Sequence, residues 1–150
     1  MIFVATGTTG FDALAERVDR LAPSLEGTVV IQLGNGRYVP QRTEYFRFAP
    51  SLKPYYEQAS LVIAHGGMGI CLEVLDCGKP LIAIDNPDRF DQHQQDMLRV
   101  LAAENYLIWC RNLNDLPEVL ERARHHEFRR YVAPECKIHV VIKEFLQKLE

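Results

Sequence analysis

Apolar, β-branched runs recur along the chain at residues 1–6, 28–33, 44–48, 60–64, 80–84 and 105–110. Most are separated by stretches whose apolar positions return every three or four residues. Between the first two runs, Phe11, Leu14, Ala15, Val18, Leu21 and Ala22 follow the i, i+3, i+4, i+7 rule of an amphipathic helix, and Pro23 stops it. Thr9 with Asp12 makes a capping-box-like start for that helix. A second helix is predicted from Asp91 to about Ala103, with Met97, Leu98, Leu101 and Ala102 inward, and a third from about Asn114 to His125. A last one carries the stripe Ile138, Val141, Ile142, Phe145, Leu146 and Leu149, for which two roles are open: packing on this chain's own sheet, or docking a partner. The irregular stretches 34–42 and 127–135 read as loops. Strands alternating with helices imply a parallel sheet covered on both faces and wound right-handedly, an α/β Rossmann-like sandwich.

At 150 residues the chain holds one domain, taken as residues 1–150. Its apolar runs are far shorter than the roughly 20 residues that span a bilayer, so no direct membrane span is expected and any membrane association is borrowed from a partner. The opening residues lack a basic region and a cleavage site and read as a first strand. A net charge of -3 gives no reason to expect nucleic acid. Cys71, Cys77, Cys110 and Cys136 form no C-x-x-C pair, a spacing that suits free thiols in a reducing compartment, hence a cytoplasmic protein.

Two glycine-bearing turns fall at the carboxyl edge of the expected sheet, where ligands bind in such folds. They are Thr6-Gly7-Thr8-Thr9-Gly10 and His65-Gly66-Gly67-Met68-Gly69. Neither is G-x-G-x-x-G, and the P-loop lysine is missing, so dinucleotide and ATP motifs are both unsupported. A glycine in the first turn of a helix costs up to about 1 kcal/mol against alanine, which is tolerated where something approaches the backbone closely. A diphosphate meets that description, because a helix N-terminus offers unpaired N–H donors and partial positive charge. A tight strand-to-helix turn accounts for the same glycines equally well.

On a helix starting near Met68, the stripe Met68, Cys71, Leu72 and Leu75 is expected to face the sheet, leaving Glu73 one turn below Gly69 on another face. Its two oxygens suit the vicinal hydroxyls of a ribose; the plainer role is an acidic residue near a helix N-terminus. Asp91, Gln92, His93, Gln94 and Gln95 present donors and acceptors on the same edge, as a sugar requires, although Asp91 and Gln94 alone would also make a capping pair.

The stretch HGGMGICLEVLDCGKPLIAIDNP followed by DQHQQ resembles the glycosyltransferase family 28 C-terminal domain, the nucleotide-sugar-binding half of GT-B glycosyltransferases. The segments MIFVATGTTGFDAL, SLKPYYEQASLVIAHGG and NYLIWC resemble two kinds of stand-alone subunit more closely: the cytosolic subunit of the dolichol-linked N-acetylglucosaminyltransferase and the PssE-like subunit of exopolysaccharide synthesis. The resemblance implies a UDP-sugar donor site, no cofactor, and a separate membrane-associated, PssD-like subunit that binds the acceptor and recruits this chain to the membrane. It places uracil against the backbone around Phe48 and Ala49, and the diphosphate at Thr8, Thr9 and the turn from His65 through Gly66, Gly67 and Met68 to Gly69. Ribose falls at Glu73, and the sugar hydroxyls near Asp91, Gln92, His93 and Gln94. It further implies an inverting transfer without metal, with His65 stabilising the departing UDP. His93 is a candidate for the base, a group that two-domain relatives draw from the half absent here. Two other readings stay open, an accessory subunit that activates a partner transferase without a donor pocket and, last, an epimerase acting alone.

Overall fold

The structure, a computed structural model, describes residues 1–86 and 93–148, with His93 described by its backbone alone. Six parallel strands, β1 (Ile2–Ala5), β2 (Val29–Gln32), β3 (Glu44–Phe46), β4 (Leu61–His65), β5 (Leu81–Ile84) and β6 (Ile108–Cys110), form one sheet in the order β3-β2-β1-β4-β5-β6. The α/β sandwich read from the sequence is therefore the fold. The winding reverses between β1 and β4, and in such sheets the crevice beyond the carboxyl ends at that point receives ligands.

Alternation along each strand feeds two cores. On one face, Val4, Ile31, Ile63 and Ile82 pack under α1 (Asp12–Leu21) through Leu14 and Val18, and under Leu116 and Leu120 of a later helix, Leu116–His125. The other face packs Phe3, Val62 and Ala83 against α2 (Lys53–Gln58), α3 (Met68–Asp76) and α4 (His93–Ala103), with Tyr56, Cys71, Val74 and Leu98 inward. The later helix is α5, and a last one, α6 (Ile138–Gln147), ends the described chain.

Several expected elements differ in detail. The sixth strand starts at Ile108 and not at Asn105, because Asn105 adopts a left-handed φ of 58° and closes α4 by donating to the Ala102 carbonyl while Tyr106 donates to Leu101. The third strand stops at Phe46, and Phe48 lies in the following loop, 58% exposed. α2 was not expected from the sequence. Its signal is the spacing Leu52, Tyr55, Tyr56, Ala59 with Pro54 in the first turn, and it is pinned by ring contacts of Tyr55 with Phe46 at 4.6 Å and Phe3 at 5.2 Å. The capping box at α1 does not form: Phe11 is the N-cap, and Asp12 instead accepts the amides of Arg37 and Tyr38 across 25 and 26 residues of chain.

The loop at residues 34–43 is tied down by a buried carboxylate. Asp19, on α1 and 0% exposed, accepts from the Tyr38 hydroxyl (2.8 Å), the Gln41 and Arg42 amides (both 2.9 Å) and the Thr43 hydroxyl (3.0 Å). Burial works to raise its pKa, but those hydrogen bonds outweigh it and hold the carboxyl below its ordinary 3.8.

Candidate functional site

The two glycine turns meet over one imidazole. His65, the last residue of β4 and 8% exposed, lies between them: a Cβ on Gly7 would sit 2.5 Å from its Cε1, and a Cβ on Gly67 2.4 Å from its Nε2. Gly7 also takes a φ of 80°. These two glycines therefore have an internal reason, the passage of the His65 ring, apart from any ligand. Gly66 is likewise constrained, its Cβ direction blocked by Leu98 at 2.6 Å. Gly69 has no such constraint, for a Cβ there would meet nothing within 4 Å among the described residues. It sits exposed in the first turn of α3, whose leading N–H groups have no partners within the helix.

Gln32, which the sequence reading did not single out, locks the first turn. At the end of β2 and 3% exposed, it accepts from the Gly7 amide through Oε1 at 3.0 Å, and its Nε2 donates to the carbonyls of Gly7 (3.2 Å) and Arg47 (3.1 Å). The turn after β1 and the loop after β3 are thus fastened to each other by one amide. Its partners lie 25 and 15 residues away, so no local pattern announces it.

Beside these turns a cleft of about 870 Å³ opens between α2 and α3. Gly7, Thr8 and Gln32 line its sheet end, Phe48 and Ala49 one wall, and Ile70 and Glu73 the facing wall on α3. The structure thus brings together Thr8, Phe48, Ala49 and Glu73, four of the residues singled out from the sequence. Thr9 borders a neighbouring depression of about 460 Å³ with Asn35, Arg37 and Asn86. Met68 is 59% exposed and does not face the sheet; the buried stripe of α3 is Cys71, Val74 and Leu75, because the first turn projects beyond the sheet edge. Gln94 is half-buried on α4, where the neighbouring Gln95 donates to Asp85 at 2.7 Å. Asp91, Gln92 and the side chain of His93 lie outside the described residues.

A fold with its winding reversal at such a cleft, two helix-leading turns and a carboxylate facing them suits a phosphorylated, hydroxylated ligand. The family comparison decides whose cleft it is: the glycosyltransferase family 28 C-terminal domain profile matches residues 1–148. The chain belongs to this family. The glycosyltransferase domain is also similar to the UDP-N-acetylglucosamine transferase subunit ALG13 of Mus musculus, 40% identical over 121 residues, covering 72% of this chain and 10% of that protein. The Homo sapiens ALG13 is 34% identical over 122 residues, covering 73% and 11%. The family 28 chain thus spans about a tenth of the length of these curated relatives. Among solved structures, Acinetobacter baumannii MurG superposes with a TM-score of 0.69 at 23% identity, over 98% of this chain and 49% of MurG. An NMR structure of ALG13 gives 0.64 at 18% identity, over 89% and 90%. Both likenesses are of fold, and the MurG match spans about half of that chain, as one half of a GT-B architecture does.

Proposed function

We propose that this family 28 chain binds the donor of a glycosyl transfer, a UDP-sugar with UDP-N-acetylglucosamine first among them, and that a partner subunit supplies the acceptor and the base. The observation that carries the reading is the convergence of Thr8, Phe48, Ala49 and Glu73 on one cleft at the sheet's reversal point. In this reading the backbone around Phe48 and Ala49 holds uracil, Glu73 takes the ribose hydroxyls, and the diphosphate lies across Thr8, Thr9 and the leading amides of α3. The sugar extends toward residues 91–94. Transfer breaks the bond between the anomeric carbon and the β-phosphate oxygen as the acceptor hydroxyl attacks, with inversion. The α3 amides then stabilise the charge left on UDP. His65, packed under both turns, holds them in place and is too enclosed to deprotonate an acceptor, so the base is assigned to the partner.

Glu73→Ala is expected to weaken UDP binding to the isolated chain by roughly 1 to 3 kcal/mol, the scale of hydrogen bonds to a charged group. Calorimetric titration without magnesium checks it; an unchanged affinity in a folded variant removes the ribose assignment. An accessory subunit without a donor pocket would give no saturable heat even from the wild type.

The last helix supports the need for a partner. None of its residues is buried, and Ile138, Val141, Ile142, Phe145 and Leu146 are 52 to 64% exposed, so among the described residues the stripe does not pack on the chain's own sheet. A contiguous apolar face of this kind marks an interaction surface. We assign it to the acceptor-binding subunit, PssD-like and membrane-associated, which brings this chain to the membrane; no helix among the described residues is long and apolar enough to cross one. Deleting residues 137–150 should leave a cooperative unfolding transition and UDP binding intact while abolishing co-purification with that subunit and transfer. Loss of the folded state would instead make α6 part of the core, and transfer by the truncated protein with its partner would refute docking.

A further inference from the structure

Beside Glu73, Tyr56 of α2 lines the cleft. Its ring is fixed edge-on against Phe3 at 5.7 Å, and the residue is 0% exposed. Its hydroxyl is buried and completes no hydrogen bond among the described residues, although the Glu73 carboxylate lies near enough to act on it. A buried hydroxyl left unpaired is costly, and native structures retain few of them outside places where a partner arrives later. Nothing in the packing of the ring requires the oxygen: a phenylalanine would fill the same space.

Next to it stands the exposed Glu73 carboxylate on α3, a helix that packs directly on α2. Burial first, and then the charge of Glu73 and its reach as a hydrogen-bond acceptor, hold the Tyr56 phenol well above its ordinary pKa of 10, so it keeps its proton and is placed to donate. Glu73 is an acceptor with two oxygens and about four lone-pair directions, enough for one phenol and two vicinal hydroxyls at once. A diol settling on Glu73 strips water from the carboxylate, and the phenol is a protein donor on hand to replace it, held in a fixed ring where Lys53, which also lines the cleft, is a flexible side chain.

We infer that Tyr56 is a positioning residue, whose buried hydroxyl donates to Glu73 when the cleft fills and so orients that carboxylate toward the ribose of a nucleoside diphosphate. The inference rests on the donor-site reading and adds to it a residue with no direct contact to the ligand.

Tyr56→Phe tests it in the full chain, with UDP and 2′-deoxy-UDP as probes in calorimetry and thermal unfolding as control. The variant should melt at or above the wild-type temperature, since an unpaired hydroxyl is removed. It should bind UDP about tenfold more weakly, the scale of one charge-assisted hydrogen bond. The preference for UDP over its 2′-deoxy analogue should shrink, because a carboxylate without its orienting donor reads the diol less well. In a Glu73→Ala background the same substitution should change affinity by less than about twofold. If the wild type binds UDP and Glu73→Ala weakens it, while Tyr56→Phe alters neither affinity nor the 2′-hydroxyl preference, the inference fails and the donor-site reading stands. Equal losses for both nucleotides, additive with Glu73→Ala, also overturn it, for the phenol would then act independently of the carboxylate. Absence of UDP binding to the wild type would remove both readings together.

Discussion

Gly69→Val should abolish most UDP binding while leaving the fold intact. A side chain at position 69 meets nothing of the protein itself within 4 Å among the described residues, so no clash opposes it. In a helix valine is slightly more favourable than glycine, and stability should stay the same or rise by a few tenths of a kcal/mol, to order of magnitude. A branched side chain over the leading amides of α3 would nevertheless hold a phosphate away from them. Losing a charge-assisted hydrogen bond there costs about 2 kcal/mol or more, roughly a thirtyfold fall in affinity. Gly67→Val does not test the same point, because its Cβ would sit 2.4 Å from the His65 ring and the turn itself would move. Full UDP affinity in a folded Gly69→Val protein would reduce the turn to a feature of the fold.

Asp19→Ala should cost about 3 kcal/mol or more of folding stability, measured by urea unfolding at neutral pH. Four donors converge on this fully buried carboxylate, two of them backbone amides that cannot turn elsewhere, and unpaired buried groups carry their whole desolvation penalty. The folded-state pKa is depressed, so the stabilisation is complete above the ordinary value of 3.8 and is lost as the pH falls through the lower folded value. Wild-type stability should therefore drop at acid pH more steeply than that of Asp19→Ala, and the two should converge there. A neutral-pH loss under about 1 kcal/mol would mean that residues 34–43 hold their shape without the carboxylate.

What the sequence made legible was periodic or local. The strands were readable as short continuous apolar, β-branched runs, since most are buried on both faces, and α1, α4 and α5 because helix burial repeats at 3.6 residues. α2 escaped because one and a half turns offer few repeats, although Leu52, Tyr55, Tyr56 and Ala59 keep the spacing. The misplaced boundaries at Asn105 and Phe48 share another cause: apolar residues continue past the point where hydrogen bonding changes, and only backbone geometry shows it. For Gly7, Gly66 and Gly67 a ligand and a tight turn were equally open readings, and their neighbours His65 and Leu98 suffice to explain them; Gly69 meets no such neighbour among the described residues. Asp19 and Gln32 were invisible because what defines them is partners 15 to 25 residues away. The place of Glu73 at the cleft was legible through its position one turn from Gly69, whereas no local pattern marks the burial of the Tyr56 hydroxyl.

The most direct measurement of the central proposal is an amide-resolved NMR titration of the isolated chain with UDP, without magnesium. The donor-site account predicts saturable shifts concentrated at Gly7 and Thr8, at Phe48 and Ala49, and from Gly69 to Glu73, with the opposite sheet edge around Lys79 and Tyr131 unmoved. Shifts centred on that opposite edge, or none up to millimolar UDP, would contradict it.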